Sequence, residues 1–544
     1  MCEITTIIPS VKNSNNISKI IKKTQILSSY QDLLSDESNL SGGMADTIYF
    51  PSSEGQICHI LRKLSKKKIP VTVSGGRTGI VGSAIPFSGA LLSLERMNKI
   101  LGIEKECEES FTLWVEPGIR LHQLNNMIES KSFPLSSNLI ALAQFKDCPQ
   151  DFFYPPDPTE DNACLGGTVA TNASGSRSFY YGSTRKYIKG LRVALTNGEI
   201  LQLERGRQRI KQSGQFRIID SKGNKIIFSP PSYSMPAVKN SCGYYAEKDM
   251  DIIDLFIGSE GTLGVICAIK LLLIRKPKYI LAGLSFFTTE HDALIFSINC
   301  RNLKYPQPLS LEFFDSHCLS LIDRARESEE FLKSLPAMNK NAHSAIFWEF
   351  AYNDEKELEF LFETIEKLLI KNRSDMDNTW SGLDSKEKQI LKFFRHSIPE
   401  LINKIIAKRK KNCSDIYKIS TDYAVPNNQL LRVMELYKSA LSNTGLEYFI
   451  FGHIGENNLH INILPQTGDE IFAAKKIVLS LAKEVVSLNG SVAAEHGIGK
   501  LKHSLVEIQY GIDGIMEMFR IKSVLDPTLI LGRGNIFPES YLNV

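Results

Sequence analysis

The stretch PPDPTEDNACLGGTVATNASGSRSFYYGSTRKYIKGL, residues 155–191, says more about the fold than any other part of this 544-residue chain. It is rich in Gly, Ala, Ser, Thr and Asn, which are poor material for a hydrophobic core. Small residues instead let backbone N–H groups approach an extended ligand closely. The composition therefore predicts a cofactor laid against the backbone.

Three other stretches have the same character: SGGRTGIVGSA (74–84), CGYY (242–245) and IGSEGTLGVI (257–266). The first follows a predicted strand, and its spacing is neither GxGxxG nor GxxxxGK[ST]. The Rossmann fingerprint and the P-loop are therefore both excluded. Alone, such a turn is equally typical of an ordinary connection between a strand and a helix. Four small-residue stretches in one half of a chain favour a cofactor.

Apolar periodicity predicts an α+β fold. Residues 45–278 alternate short strands (DTIYFP, IPVTVS, ALLSL, FTLWVEP, LRVALTNGEIL, VICAIKLLLI) with an amphipathic helix, EGQICHILRKLSKKK. The second half adds strands KYILAGLSFF, PLSLEFFD, SAIFWEF and ISTDYAVP, and helices over 290–303, 354–371, 385–396 and 468–488. This order predicts a sheet with helices packed on one side. Residues 1–44 are expected to form a polar helical extension.

Two segments near the C-terminus concentrate histidines: FGHIGENNLHIN (451–462) and AAEHGIGK (493–500). The first is predicted to be a β-hairpin, because EYFIFGHI and LHINILP flank a turn-rich tetrapeptide. Period-two alternation places His460 and Asn462 on one face of the second strand, and His453 ends the opposing strand. A lone histidine is more often a structural hydrogen bonder. Two on facing ends of a hairpin, with Glu495 and His496 nearby, predict a divalent metal with a base beside it.

Composition excludes several classes of protein. A net charge of +4 gives no case for nucleic-acid binding. The ten cysteines form no CxxC pair, which argues against a zinc ribbon or an iron–sulfur cluster and is typical of buried thiols in a reducing compartment. The first residues, MCEITTIIPSVKNSNN, have no cationic flank followed by a long apolar core, and no segment approaches 18 uninterrupted apolar residues, so we expect neither a signal peptide nor a membrane span. We therefore expect a cytoplasmic protein.

The glycine-rich stretches resemble the FAD-binding domain of the vanillyl-alcohol oxidase family, also called the p-cresol methylhydroxylase (PCMH) type. The resemblance covers about residues 45–278 and implies non-covalent FAD, because the first loop has no histidine for attachment. By this resemblance, the cofactor-binding residues are Ser74, Gly75, Gly76, Arg77, Thr78, Gly79, Pro156, Asp157, Gly167, Thr171, Asn172, Gly175, Gly182, Gly258, Glu260, Gly261 and Ile266.

Residues 279–544 are similar to the C-terminal (cap) domain of FAD-linked oxidases such as D-lactate, glycolate-type and D-2-hydroxyglutarate dehydrogenases, which implies an antiparallel sheet with covering helices. The resemblance also implies oxidation of a D-2-hydroxy acid by hydride transfer to flavin, assisted by a divalent metal, with Zn²⁺ first and Mn²⁺ or Fe²⁺ also suited. The implied roles are metal ligation by His453, His460 and Glu495, general base catalysis by His496, and substrate binding by Arg395, Asn462 and Lys418.

Two of the substrate-binding candidates have ordinary alternatives. Arg395 has a physical rationale, since a guanidinium fork binds a carboxylate through two hydrogen bonds. A charge on a helix surface is an equally good interpretation of it. For Lys418, an ordinary surface lysine is a better interpretation than a substrate-binding residue.

The sequence departs from the family at three places. The family's Asp-Gly-Asn turn is replaced by Glu456–Asn457–Asn458, and its Asn-Pro-Gly-Lys pattern by Gly532–Arg533–Gly534–Asn535. Residues 370–415 match nothing assignable.

Other function classes stay open at this level. An alkyl-dihydroxyacetone-phosphate synthase-like flavin transferase shares the flavin fold without net redox chemistry, although Glu495 favours a metal and hence a dehydrogenase. A flavin-binding subunit without activity is the third class. The electron acceptor of a dehydrogenase would be a quinone, a cytochrome, an electron-transfer flavoprotein, a partner subunit or oxygen. Such acceptors are compatible with a position at the periphery of the inner membrane, although no sequence feature requires it.

Overall fold

A computed structural model describes residues 19–135, 138–210, 214–413 and 415–543. It confirms the α+β architecture, with a two-part flavin domain followed by a domain built on an antiparallel sheet. Each predicted strand and helix named above has a counterpart among the observed elements.

The first sheet places the first glycine-rich loop. Its strands lie in the order Ile20–Lys22, Thr47–Tyr49, Ala90–Ser93 and Val71–Ser74, and the last three are parallel. Helix Glu54–Lys66 connects two of them and buries Ile57, Ile60, Leu61 and Leu64 against the sheet, at the spacing of one helix face. Strand Val71–Ser74 runs directly into loop 75–79. The loop therefore begins at the carboxyl edge of a parallel sheet, where ligands commonly bind.

The described part of the N-terminal extension is less helical than the sequence predicts. Residues 19–44 hold an edge strand of the first sheet, helix Lys23–Ser29 and the 3₁₀ turn Gln31–Leu34. The rest of the predicted extension, residues 1–18, lies outside the described residues.

The second part of the flavin domain is an antiparallel sheet. Its strand order is Ile100–Cys107, Ser110–Val115, Val265–Arg275, Ile188–Ala194 and Ile200–Glu204, with Phe152–Phe153 beside Val265–Arg275. A separate hairpin pairs Phe216–Ile219 with Lys225–Phe228. The helices of this part are Leu121–Glu129, Leu139–Asp147, Leu165–Thr171, Ser178–Tyr181, Thr184–Tyr187 and Ile253–Phe256. The nine described cysteines are free, and Cys267 is buried in the central strand as predicted.

The second domain is an eight-stranded antiparallel sheet. Its order is Thr379–Gly382, Tyr279–Phe287, Ser344–Tyr352, Pro308–Phe314, Tyr448–His453, Asn458–Ile463 and Ile419–Ser420, with Tyr423–Ala424 also beside Asn458–Ile463. The covering helices are Glu290–Arg301, Ser316–Ala325, Glu355–Lys371, Ser385–Lys410, Leu430–Leu441, Gly468–Ser487 and His503–Leu525. The remaining short 3₁₀ turns are Glu330–Leu332, Asn427–Gln429, Ile454–Glu456 and Glu539–Asn543. The predicted hairpin is confirmed, with Phe451 opposite His460.

The end of the chain returns to the flavin domain. Leu531 forms a parallel bridge with Val71, beside the first glycine-rich loop. The buried Lys522 ammonium pairs with Asp526 and donates to the carbonyl oxygens of Thr262 and Leu531. The C-terminal residues therefore pack as part of the flavin domain. No helix among the described residues is long and apolar enough to cross a membrane.

Candidate functional site

A cavity of about 340 Å³ lies where three of the four glycine-rich stretches meet, and CGYY (242–245) does not line it. Its wall contains a majority of the residues predicted to bind the cofactor: Gly75, Gly76, Arg77, Thr78, Gly79, Gly167, Thr171, Glu260, Gly261 and Ile266. Loop 75–79, helix Leu165–Thr171 and segment 259–266 thus converge on one space, although they are far apart in sequence.

The other predicted cofactor residues do not line this cavity: Ser74, Pro156, Asp157, Asn172, Gly175, Gly182 and Gly258. Two of them shape the loops. A Cβ added at Gly175 would lie 1.9 Å from the carbonyl oxygen of Asp157, so only glycine allows these two segments to pack together. Asn172 has a left-handed φ of 51°, and its Oδ1 accepts a hydrogen bond from the Arg185 N–H. Their contact with the cofactor stays a prediction.

The cavity has the character of a cradle for an extended cofactor. Gly79 and Gly167 both line it, and a Cβ added at either would meet no atom within 4 Å. These two positions therefore leave backbone open to the cavity, as an FAD pyrophosphate requires.

Glu260 joins the two domains. Its carboxylate accepts hydrogen bonds from Ser83 Oγ at 2.6 Å and from the N–H groups of Ile498 and Gly499 at 2.7 Å each. Glu260 therefore fixes the segment that follows His496 against the flavin loops.

The histidine segments fold into one cluster around Glu495, as the sequence predicts. Its Oε1 lies 3.1 Å from Nε2 of His453, 3.3 Å from Nε2 of His460 and 3.5 Å from Nε2 of His496. The rings of His460 and His496 stack, with centroids 5.2 Å apart. One nitrogen of each ring thus lies within 3.5 Å of the same carboxylate oxygen, and imidazole and carboxylate are donors that suit Zn²⁺, Mn²⁺ or Fe²⁺. The group of four residues whose ligand atoms all lie close to one another is Asp422, His460, Glu495 and His496, which leaves out the predicted ligand His453.

Asp422 is a member of this cluster that the sequence analysis missed. One ligand atom from each of Asp422, His460, Glu495 and His496 lies within 4.8 Å of the others. Asp422 Oδ2 accepts the N–H groups of Glu495 at 3.1 Å and His496 at 2.8 Å, and lies 3.5 Å from Nδ1 of His496. It thus fixes the backbone of both residues and faces one nitrogen of the His496 ring.

Glu312 is a second carboxylate that the sequence analysis missed. It lies 2.7 Å from Nδ1 of His453 and 3.2 Å from Nε of Arg395. Burial would raise the pKa of Glu312, but Arg395 and His453 lower it to about 2. The carboxylate therefore stays ionised, and it orients His453 so that Nε2 faces Glu495. Metal-binding histidines are usually held by such a carboxylate.

Burial and nearby carboxylates shift the pKa values of His453 and His496 in opposite directions. Burial lowers the pKa of His453, but Glu495 and Glu312 outweigh it and raise the value to about 10. For His496, burial dominates and lowers the pKa to about 4, although Asp422 and Glu495 act in the opposite direction. A neutral imidazole near pH 7 is the state that a general base needs.

A second cavity of about 160 Å³ adjoins the cluster. All three predicted substrate-binding residues, Arg395, Asn462 and Lys418, line it, together with His396. Arg395 and His396 lie on helix Ser385–Lys410, which is part of residues 370–415, the stretch that matched nothing assignable. Arg395 therefore faces a cavity instead of the helix's outer surface. Burial lowers the pKa of Lys418.

The unusual turn between the histidines has a left-handed residue at its end. Asn457 has a φ of 50°, the left-handed conformation for which glycine is the usual residue. Its Nδ2 donates to the carbonyl oxygens of Val425 and Pro426, and Arg301 donates to its Oδ1. Asparagine tolerates this conformation, and these hydrogen bonds hold it in place. The turn therefore leaves His453 and His460 on paired strands.

The two cavities share part of their walls. Ile80, Thr159, Glu495 and His496 line both of them. The carboxylate–histidine cluster thus lies between a space for an extended cofactor and a small space with cationic side chains.

Comparison with known proteins identifies both domains. Residues 45–140 and 145–204 match the family described as FAD binding domain. Residues 276–536 match the family described as FAD linked oxidases, C-terminal domain.

Three similar proteins align over nearly the full chain. A D-lactate dehydrogenase from Anaerostipes hadrus is 26% identical and covers 93% of this chain and 92% of its own. Glycolate oxidase subunit GlcD of Bacillus subtilis is 26% identical, covering 91% and 90%. A D-2-hydroxyglutarate dehydrogenase from Xanthomonas citri pv. viticola is 28% identical, covering 90% and 89%.

Solved structures support the fold at lower identity. A 4-ethylphenol oxidase from Gulosibacter chungangensis has a TM-score of 0.63 at 15% identity, covering 96% of this chain and 95% of its own. An alkyldihydroxyacetonephosphate synthase has a TM-score of 0.59 at 15% identity, covering 90% and 76%. The chain thus carries an FAD binding domain followed by the C-terminal domain of FAD linked oxidases, and it is an FAD-dependent oxidoreductase.

Proposed function

We propose that this protein oxidises a D-2-hydroxy acid of the D-lactate, glycolate or D-2-hydroxyglutarate type to the 2-oxo acid. Non-covalent FAD would be the hydride acceptor, and a divalent cation, Zn²⁺ first, would assist. The observation that carries the proposal is that Glu495 and His496 line both the flavin cavity and the smaller cavity. A substrate in the smaller cavity would therefore meet the carboxylate–histidine cluster on the side that faces the flavin.

The residues of the smaller cavity divide into two roles. His453, His460 and Glu495 would hold the cation. Arg395 and Lys418 would bind the substrate carboxylate, because both place a cationic group on the cavity wall. The similarity to three hydroxy-acid oxidising enzymes supports this substrate class.

Proton transfer is assigned to His496. Its Nδ1 makes no hydrogen bond and lies 3.5 Å from Asp422 Oδ2, so a proton on Nδ1 faces a carboxylate. Nε2 is then left without a proton and can accept one from the substrate hydroxyl. A cation held by His453, His460 and Glu495 would supply Lewis acidity toward the substrate hydroxyl, and FAD would supply the hydride acceptor.

The test is anaerobic mixing of the FAD-loaded protein with D-lactate, glycolate and D-2-hydroxyglutarate, while flavin absorbance is followed. Bleaching with at least one acid supports the proposal, and chelator should slow it. Asp422→Asn should slow bleaching at least about tenfold, since it removes the group that orients His496.

The alkyl transferase is tested in the same experiment. If no hydroxy acid bleaches the flavin and an acylated dihydroxyacetone phosphate is turned over, the oxidation proposal is refuted. Full activity after complete metal removal would refute the role of the cation alone.

A further inference from the structure

A lysine of the flavin domain reaches into the carboxylate–histidine cluster. The side chain of Lys239 is only 5% exposed, and its Nζ lies 2.7 Å from Oε2 of Glu495 and 3.2 Å from Oε2 of Glu456. Lys239 lies three residues before the CGYY stretch and lines neither cavity. It belongs to neither the cofactor-binding nor the substrate-binding set.

The two carboxylate oxygens of Glu495 contact different groups. Oε2 is taken by two groups of the flavin domain, Lys239 Nζ and Ser174 Oγ, the second at 3.2 Å. Oε1 is the oxygen that faces the three Nε2 atoms of the histidine cluster. The two buried bonds to one oxygen hold the plane of the carboxylate, so the other oxygen is the one presented to the histidines. Glu495 is therefore held so that one oxygen alone is available to a cation.

Lys239 also contacts the turn that follows His453. Glu456, in that turn, forms an ion pair with Lys239 and accepts a hydrogen bond from Ser178, which is likewise in the flavin domain. One ammonium thus links the two segments that carry the cluster to each other. It also links both segments to the domain that contains the flavin cavity.

We propose that Lys239 is a positioning residue that makes Glu495 a one-oxygen ligand and fixes the ligand set against the flavin domain. This inference rests on the metal site of the proposed function. It concerns a residue that touches neither substrate nor cofactor, and that acts through Glu495.

The charge of Lys239 and its proposed positioning role predict opposite changes in metal affinity when Lys239 is replaced. A cation close to a metal site repels a dication, so by charge alone Lys239→Met would tighten metal binding. If Lys239 orients a ligand, its loss weakens binding, typically about 10–100-fold for groups that orient metal ligands. The sign of the change therefore distinguishes the two effects.

The experiment is calorimetric titration of Zn²⁺ into metal-stripped, FAD-loaded protein. We expect Kd to rise about 10–100-fold in Lys239→Met and to stay within about threefold of wild type in Lys239→Arg, which keeps the charge and the donors. Lys270→Met is the matched control. It removes another lysine of the flavin domain from an ion pair, with Glu104 at 2.6 Å, away from the cluster, and should leave Kd unchanged.

Flavin absorbance of each variant shows whether the fold is kept. If Lys239→Met does not fold, Ser174→Ala removes the other donor to Oε2 and should still raise Kd by about threefold or more. Unchanged or tighter Zn²⁺ binding in the folded Lys239→Met variant, or in Ser174→Ala when it replaces that variant, overturns the positioning role and leaves the proposed function standing. Wild-type protein that binds no divalent cation overturns the metal site itself, and this inference with it.

Discussion

Gly167 offers a direct test of the flavin cavity. It is the third residue of helix Leu165–Thr171, it lines the cavity, and a Cβ added there meets no atom within 4 Å. Gly167→Leu therefore directs a side chain into the space assigned to FAD without a clash inside the protein. We expect the variant to fold and to lose the cofactor.

The expected change in the free energy of unfolding combines two opposing contributions. Replacing glycine by leucine inside a helix stabilises it by about 0.8 kcal/mol, so the FAD-free variant should be slightly more stable than FAD-free wild type. FAD at about 100 times its Kd stabilises the wild type by about 2.7 kcal/mol, and a variant that cannot bind it gains nothing. With FAD present, the variant should therefore be less stable by about 2 kcal/mol.

The assay is urea unfolding with and without added FAD, together with a fluorescence titration of flavin binding. Gly468→Leu is the control, because Gly468 is also in a helix and open to space but lies on the surface of the second domain. It should keep the wild-type Kd for FAD. A Gly167→Leu protein that binds FAD as tightly as wild type would show that the cavity is not the flavin site.

Three further perturbations test the contacts around the site. Glu349→Gln removes the carboxylate charge and one of the two hydrogen bonds, of 2.7 and 2.9 Å, that join the second domain to Arg177, and urea unfolding should show a loss of about 3 kcal/mol; no loss would mean that this pair does not hold the domains together. Glu312→Gln removes the carboxylate that orients His453, and calorimetry should show Zn²⁺ binding weakened about 10–100-fold; wild-type affinity would contradict that role. Burial and the nearby cations lower the pKa of His396 from 6.5 to about 4. The contribution of neutral His396 to the free energy of unfolding is therefore complete above pH 6.5 and is lost as the pH falls toward 4. His396→Gln should flatten this decline in unfolding measurements at pH 7, 5.5 and 4.5, and an unchanged slope would exclude His396 as its source.

Much of the fold could be predicted because its signals are local. Strand alternation and helix periodicity repeat within a few residues, so the hairpin and the shared face of His460 and Asn462 followed from the sequence. The helix predicted near residues 385–396 was found, but it extends to Lys410 through Pro399. Proline commonly ends a helix, so the local sequence did not predict the longer helix.

The partners of the site residues were not predictable in the same way. Glu312 is 141 positions from His453, and Lys239 is 256 positions from Glu495. Glu312 comes close because strand Pro308–Phe314 lies beside Tyr448–His453 in the sheet, and no local pattern encodes that strand order.

The sequence by itself determined the family resemblance, the glycine-rich loops and the four residues of the histidine segments, since these depend on residue type and short spacing. The tertiary structure decided which carboxylates surround the imidazoles, which oxygen of Glu495 faces them, and that His496 lies between two cavities. The physical reason is that burial and charge act through space. A side chain's pKa and orientation depend on neighbours that only the packing of the two domains brings together.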